Sequence, residues 1–287
     1  MPGPFARMLP DGARLHLQHG PIDLIVGVDP VFSRPAAFRA AWQRFQTILD
    51  ELVSELPLLR REVGEMPEGA VARRMSRAAL LHAPVFVTPM AAVAGSVAEE
   101  VLAAMLAATK LTRAYVNNGG DIAFHLAEGE RFRMAIAGPD GADLGRVDVG
   151  QEDDARGLAT SGQGGRSFSM GIADAVTVLA RTASEADVAA TLIANAVDLP
   201  GHPAISRAAA NSLQPDSDLG TRLVVTAVGR LTEAETARAL DRGTLAAQTM
   251  RDCGLILSAA LFLNSQSRTL GPPQKNLLQI TRTPAHA

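Results

Sequence analysis

Arg113-Ala-Tyr-Val-Asn117-Asn118-Gly119-Gly120-Asp121-Ile-Ala-Phe-His-Leu126 is the stretch on which the fold turns. Two short runs carrying β-branched and aromatic residues flank a pair of glycines. Asn-Gly between such runs is the chemistry of a tight hairpin turn. The segment therefore reads as two paired strands, antiparallel because so short a connection cannot return the chain to the same end of a sheet.

Upstream, Arg14-Leu-His16-Leu-Gln18 alternates, His19-Gly20-Pro21 supplies a turn, and Ile22-Asp-Leu-Ile-Val-Gly-Val28 resumes. This is a second hairpin. From Pro35 to about Glu55 the apolar residues recur at helical spacing. Residues 56–79 are charged and irregular, with room for a short helix, and Pro84-Val-Phe-Val87 reads as a short strand. A small-residue helix follows over about 91–108, with Gly95 and Ser96 near its start.

Downstream, Arg131-Phe-Arg-Met-Ala-Ile-Ala137 alternates as a strand and Gly138-Pro-Asp-Gly141 is turn chemistry. Short strands are expected near 144–149 and 157–160. The last third reads as strand (173–180), helix (185–196), strand (222–228), helix (about 233–249) and strand (255–263). Thr232-Glu-Ala-Glu235 is a capping box that marks the start of the second of those helices. Strand pairs interleaved with helices predict an α+β fold with mainly antiparallel sheets and packed helices. Residues 1–270 read as a single domain, divisible into two halves of similar content, and residues 271–287 as a loose polar tail.

Composition narrows the function. A chain of 287 residues buries enough surface to fold without staples. Only 4% is aromatic, so the base-stacking platforms of single-strand nucleic-acid binders are not expected. A formal net charge of −3 gives no basic footprint for nucleic acid or anionic membranes. The single cysteine, Cys253, excludes an internal disulfide and reads as a buried thiol in an apolar context. The N-terminal residues show no signal-peptide pattern, and no run looks long enough to span a bilayer. A cytoplasmic protein is the expectation.

Three constellations carry chemistry. In the bend Asn118-Gly119-Gly120-Asp121 the backbone can approach a ligand, or the residues can serve the turn alone. The loop Thr160-Ser161-Gly162-Gln-Gly-Gly-Arg166-Ser-Phe-Ser169 offers backbone N–H groups, hydroxyls and a guanidinium for phosphate oxygens, although glycine and serine also make ordinary surface loops. In Ala186-Asp187-Val-Ala-Ala-Thr191 a carboxylate and a hydroxyl fall on one helix face, a donor pair suited to Mg²⁺. The competing account of Asp187 is Ser184-Glu-Ala-Asp187 as a helix-start pattern. The histidines show no helical ligand spacing, and no nucleophile elbow exists.

In order and spacing these motifs resemble the ApbE-type flavin transferases, which move FMN from FAD onto a protein hydroxyl using Mg²⁺. The nearer match is an uncharacterised ApbE-like branch. The residues that carry it are Ala92-Val-Ala-Gly95-Ser-Val-Ala-Glu99, Val116-Asn-Asn-Gly-Gly-Asp121-Ile, Ala159-Thr-Ser-Gly162, and Ser169-Met-Gly-Ile-Ala-Asp174 through Thr191. The resemblance implies a tandem duplicated T-fold. It implies Mg²⁺ held by Asp187, Thr191 and a backbone carbonyl near Ala92 or Val93, and FAD or FMN beside Gly119, Gly120 and Asp121. The bend and loop chemistry adds Asn118, Thr160, Ser161, Gly162 and Arg166 as candidate nucleotide contacts. Two departures stand out. The family's Ala-Lys-Gly-Tyr becomes Ala92-Val-Ala-Gly95-Ser, and its His-Ile-Ile-Asp-Pro-x-Thr-Gly segment, with the activating histidine, has no counterpart.

The expected function is binding of a phosphorylated heteroaromatic nucleotide, flavin or pterin-like, with metal-assisted phosphoryl or nucleotidyl transfer or hydrolysis. The alternative is a ligand-binding or assembly protein without the chemistry. A homodimer is expected in either case.

Overall fold

Apolar residues at every second position of Arg14–His19 and Ile22–Asp29 put Leu15, Leu17, Leu24 and Val26 on one buried face, as a period of two requires. The computed structural model describes residues 3–137, 141, 143–165, 167–271 and 277–280. Its elements in chain order begin with strands β1 (Phe5–Met8), β2 (Arg14–His19) and β3 (Ile22–Asp29) and helices α1 (Arg34–Ser54), α2 (Leu56–Leu59), α3 (Ala70–Leu80) and α4 (Val93–Ala108). Strands β4 (Arg113–Asn118), β5 (Asp121–Leu126), β6 (Arg131–Ala137), β7 (Asp143–Gly150), β8 (Gly157–Ser161) and β9 (Ala175–Ala180) come next. Then follow α5 (Ala183–Ala196), β10 (Ile205–Ala209), α6 (Ala210–Leu213), β11 (Leu223–Val228), α7 (Glu233–Asp252), β12 (Ser258–Leu263), β13 (Gln266–Leu270) and β14 (Leu278–Ile280).

The chain divides into two units. The first takes residues 1–132, 150–159 and 180–188, and the second takes 133–149, 160–179 and 189–287. In the first, the sheet runs β1-β2-β3-β4-β5 and continues onto the start of β8, with every described pairing antiparallel. Helices α1 and α4 pack together against its buried face. Helix α1 starts with a proline in its first turn and buries Ala37, Ala41, Phe45, Ile48 and Leu52, a stripe of one residue per turn. Helix α4 buries Val97, Val101 and Met105 against that stripe and the strands. Each large side chain fully buried here contributes about 1.5–3 kcal/mol of transfer free energy.

Ion pairs lock the helices together. Arg44 of α1 pairs with Glu51 (2.7 Å) on its own helix and Glu100 of α4 (2.8 Å), and Arg74 of α3 pairs with both Glu99 and Glu100 (3.2 Å each).

In the second unit, β12 pairs antiparallel with β9 on one side and β13 on the other, and α7 covers β12 and β13. Every residue of β9 and of β12 is buried. That matches their nearly uninterrupted apolar sequences, because a strand covered on both faces loses the alternation of a half-exposed one. Strands β14, β7 and β6 form a separate three-stranded sheet, and β10 pairs with β11. Leu278–Ile280, inside the stretch read as a polar tail, thus forms β14 against β7.

The α+β class and the antiparallel pairing agree with the sequence reading. Four expectations need correction. Pro84 to Val87 is not a strand but irregular chain. Residues 56–79, read as irregular with room for one short helix, contain two, α2 and most of α3. Cys253 is exposed at the C-cap of α7 rather than buried. Pro89–Ala108 is a 20-residue helical stretch long and apolar enough by composition to cross a membrane. Its apolar face is accounted for by packing, since Val97, Val101, Leu102 and Met105 are buried against the protein itself. The turn expected at Gly138 to Gly141 lies largely outside the described residues.

Candidate functional site

The site is built where two helices begin. Helix α4 has Ala92 at its N-cap, a residue with no side-chain acceptor, so its first backbone N–H groups need partners from elsewhere. Asp187 supplies them from α5: the Gly95 N–H donates to Asp187 Oδ2 (3.0 Å), and the Ala94 N–H also bonds the carboxylate. Helix α5 is served in return. The Ser184 N–H in its first turn donates to Glu99 Oε1 of α4 at 2.6 Å. Each helix start is therefore capped by an acid from the other, and each acid sits at the positive end of its neighbour's dipole.

Gly95 permits this approach. A Cβ built there would lie 2.3 Å from the Ala183 carbonyl oxygen and 2.8 Å from Ser184 N. Asn118 fastens the same corner to the sheet. Its Nδ2 donates to the Ala94 carbonyl (3.2 Å) and its Oδ1 accepts from the Asp23 N–H (3.4 Å). With 5% of its surface exposed, Asn118 ties β3, β4 and α4 together.

The competing account of Asp187 is settled in part. Asp187 is a cap, but of α4 rather than of its own helix. Helix α5 begins one residue earlier than Ser184, and its cap is Thr182, whose Oγ1 accepts from the Glu185 N–H (3.2 Å). Thr182-Ala-Ser-Glu185, rather than Ser184-Glu-Ala-Asp187, is the start signal.

The electrostatics are unusual for two capping acids. Burial pushes the Asp187 carboxyl well above the usual carboxylate range, and the neighbouring charges of Asp121 and Glu99 push it further, against the N–H groups of Gly95 and Ala94 that pull it down. Glu185 is raised too, by burial and then by Glu99, against Arg181. This corner holds more negative charge than its cations relieve.

The other residues read as candidates fall as follows. Gly119 and Gly120 form the two-residue turn between β4 and β5 with φ of +67° and +115°, and the Gly120 N–H is fixed by Asn117 Oδ1 (2.8 Å). These are the torsions of a primed hairpin turn, in which both central residues need positive φ. Asp121 follows the turn at the head of β5, within electrostatic reach of Asp187. Ala92 is wholly buried, three residues before Gly95. Thr191 is half-buried, one turn along α5 from Asp187. Thr160, Ser161 and Gly162 belong to the second unit, where Thr160 Oγ1 and Thr177 Oγ1 are hydrogen-bonded (2.9 Å) and Gly162 lies close against the Asp174 carbonyl. Arg166 lies outside the described residues.

The donor chemistry suits a hard cation. All the candidate donors are oxygens, and two carboxylates are held where their charges oppose each other. Among the described residues no three His, Cys, Asp or Glu side chains converge as a metal centre. An ion at Asp187 would need a hydroxyl, a backbone carbonyl, water or ligand phosphate to complete its shell, as Mg²⁺ usually does.

A model of the family described as AbpE bacteria matches residues 6–269. The chain belongs to that family. Among its relatives, a UPF0280 protein of Methanopyrus kandleri is 41% identical over 130 residues, 45% of this chain and 50% of that protein. One from Archaeoglobus fulgidus is 39% identical over 134 residues, 46% of this chain and 53% of that protein. The chain spans about half the length of the curated relatives it matches. Among solved structures, the apo form of the flavinyl transferase ApbE of Pseudomonas stutzeri gives a TM-score of 0.45 at 12% identity over 94% of both chains. The ApbE protein of Thermotoga maritima gives 0.37 at 12% identity over 77% of this chain and 97% of that one. At that likeness the two structures say nothing about activity.

Motif reading gives no role to Glu99, which closes the Ala92–Glu99 motif; the structure makes it the cap of the α5 start and a charged neighbour of Asp187. Glu99→Ala in this AbpE-family protein removes the acceptor for Ser184 N–H and a partner of Arg74, and costs about 1–2 kcal/mol. Glu99→Gln keeps an acceptor and removes the repulsion on Asp187, so urea denaturation should place it near wild type. Equal losses for both variants would show that the charge, and not the cap, matters.

Proposed function

We propose that this protein binds a divalent cation, Mg²⁺ by its chemistry, at Asp187, together with the phosphate end of a flavin- or pterin-like nucleotide. The observation that carries the reading is the Asp187 carboxyl itself, seated on the N–H groups of Gly95 and Ala94 and forced up in pKa by burial and Asp121. A cation relieves that repulsion, and bound there it would in turn attract the phosphate end of a nucleotide. The motif resemblance and the family membership support a flavin-type ligand.

Asp187, Thr191 and the carbonyl of Ala92 are the residues that would hold the ion. Bound there, Mg²⁺ would supply charge neutralisation for phosphoryl or nucleotidyl transfer. This chain's own contribution is positioning: Asn118 and Glu99 fix the two helix starts, and the fixed amides orient the carboxylate.

A second reading, a binder without chemistry, is favoured by one specific observation. In the segment where the transferases carry their histidine, Ser169 is hydrogen-bonded to Gly171 and the Asp174 carboxylate accepts the Asn264 N–H (2.7 Å). Those side chains serve the fold. Calorimetry with Mg²⁺ and FAD, followed by mass spectrometry of the products, separates the outcomes. Mg²⁺-dependent FAD binding with released AMP or FMN supports the first reading, and binding with intact FAD supports the second. Absence of both Mg²⁺ and FAD binding defeats the proposal.

A further inference from the structure

The second unit holds a feature that the Asp187 site does not use. Helix α7 and the loop of residues 199–203 enclose an open cleft of about 750 Å³. Arg238 and Arg242 of α7 line it, one helical turn apart. Both are exposed, and among the described residues neither has an ion-pair partner. Like charges at that spacing repel and cost the helix a few tenths of a kcal/mol each.

The acids nearby are already engaged. Asp241, which also lines the cleft, accepts from Arg268 (3.1 Å). Glu235 accepts from His202 Nε2 (3.0 Å) and from the Thr232 cap. His202 Nδ1 in turn accepts the Ala204 N–H (3.2 Å), which turns Nε2 toward Glu235 and fixes the ring. The two guanidinium groups are what remains unmatched.

An apolar wall continues from them. Leu245, three residues beyond Arg242 on the same helix, is 69% exposed within the cleft. Pro200 and Pro203 add further apolar lining. A cationic pair beside an apolar ledge, in a volume typical of small-molecule sites, is the complement of a ligand with an anionic head and an apolar body. Guanidinium pairs are suited to oxygens arranged around one phosphorus.

We propose that this cleft binds a phosphate monoester, with the phosphate on Arg238 and Arg242 and the organic group along Leu245. Titration with phenyl phosphate and with inorganic phosphate, followed by NMR of the protein and phosphorus signals, tests it. Saturable binding is expected, tighter for phenyl phosphate and weakened by added salt. Arg238→Gln with Arg242→Gln should weaken phenyl phosphate by about tenfold or more, since charge-assisted hydrogen bonds are lost. Leu245→Ala should erase the preference for the phenyl ester while inorganic phosphate binds as before. Asp187→Asn should leave all of this unchanged, which separates the cleft from the cation site. Unsaturable binding, equal affinity in the double arginine variant, or loss of binding in Asp187→Asn would overturn the assignment.

Discussion

Gly95→Ala lowers the stability of the protein by about 2–3 kcal/mol. In an exposed helix interior the same change would gain about 1 kcal/mol from helix propensity. Here the added methyl would stand 2.3 Å from a carbonyl oxygen and 2.5 Å from the carbonyl carbon of Ala183, which are backbone atoms and cannot rotate away. Helix α4 must shift off the start of α5. That shift stretches the Gly95–Asp187 and Glu99–Ser184 bonds together, so the loss exceeds the intrinsic gain. Urea midpoints measure it. A Gly95→Ala protein at least as stable as wild type would mean that the two helix starts are not in contact.

Asp187→Asn produces the opposite result without ligand. The folded-state pKa of Asp187 is raised, so its protonated form is favoured by the fold. Stability from this group is fully present below the ordinary value of 3.8 and is lost as pH rises through the raised folded value. Asparagine stays neutral and keeps an oxygen for the Gly95 N–H, so its melting temperature should exceed wild type by a margin that widens as pH rises. On the proposed cation site, added Mg²⁺ should reverse the order. Wild type gains about 2.7 kcal/mol at a hundredfold excess over Kd, and the variant gains nothing. Such an expected cost of Asp187 to stability is what a site kept for ligand binding would show. If the two proteins melt together across the pH range, Asp187 is an ordinary cap. Equal Mg²⁺ stabilisation in both would place the cation elsewhere.

Local signals were legible in the sequence wherever a short stretch decides its own conformation. The hairpin turn forms where the sequence places it, with Gly119-Gly120 rather than Asn118-Gly119 at its centre, and the Thr232–Glu235 capping box forms with both reciprocal hydrogen bonds. Helix α3 reads only as room for a short helix, because its buried face (Val71, Ala72, Met75, Ser76, Ala78 and Ala79) is mostly small residues set in a charged, proline- and glycine-bearing stretch. The hairpin of β12 and β13 escaped because its turn, Asn264-Ser265, reaches positive φ without glycine and β13 is polar and half-exposed. Pro84 to Val87 misled in the other direction, since Val85 is exposed and no strand receives it.

At the candidate site, residue type could be read but not partnership. Asp187 was recognisable as an acid in a helix start, yet the amide it caps lies 92 positions earlier in the chain. No pattern within one helix encodes that contact, and the same holds for Glu99 and Ser184, 85 positions apart.

The exchange of acids between α4 and α5 has a consequence for how the polypeptide reaches its final state. A ribosome must emit nearly the whole first unit, with residues 133–149 and 160–179 of the second, before residues 180–188 arrive to finish the corner. Until then the leading end of α4 has bare amides. Such late, long-range closure is slow relative to local assembly. It also means that no single cut in the gene separates the first unit as an intact piece, because residues 133–149 and 160–179 of the second unit fall between its segments in the chain.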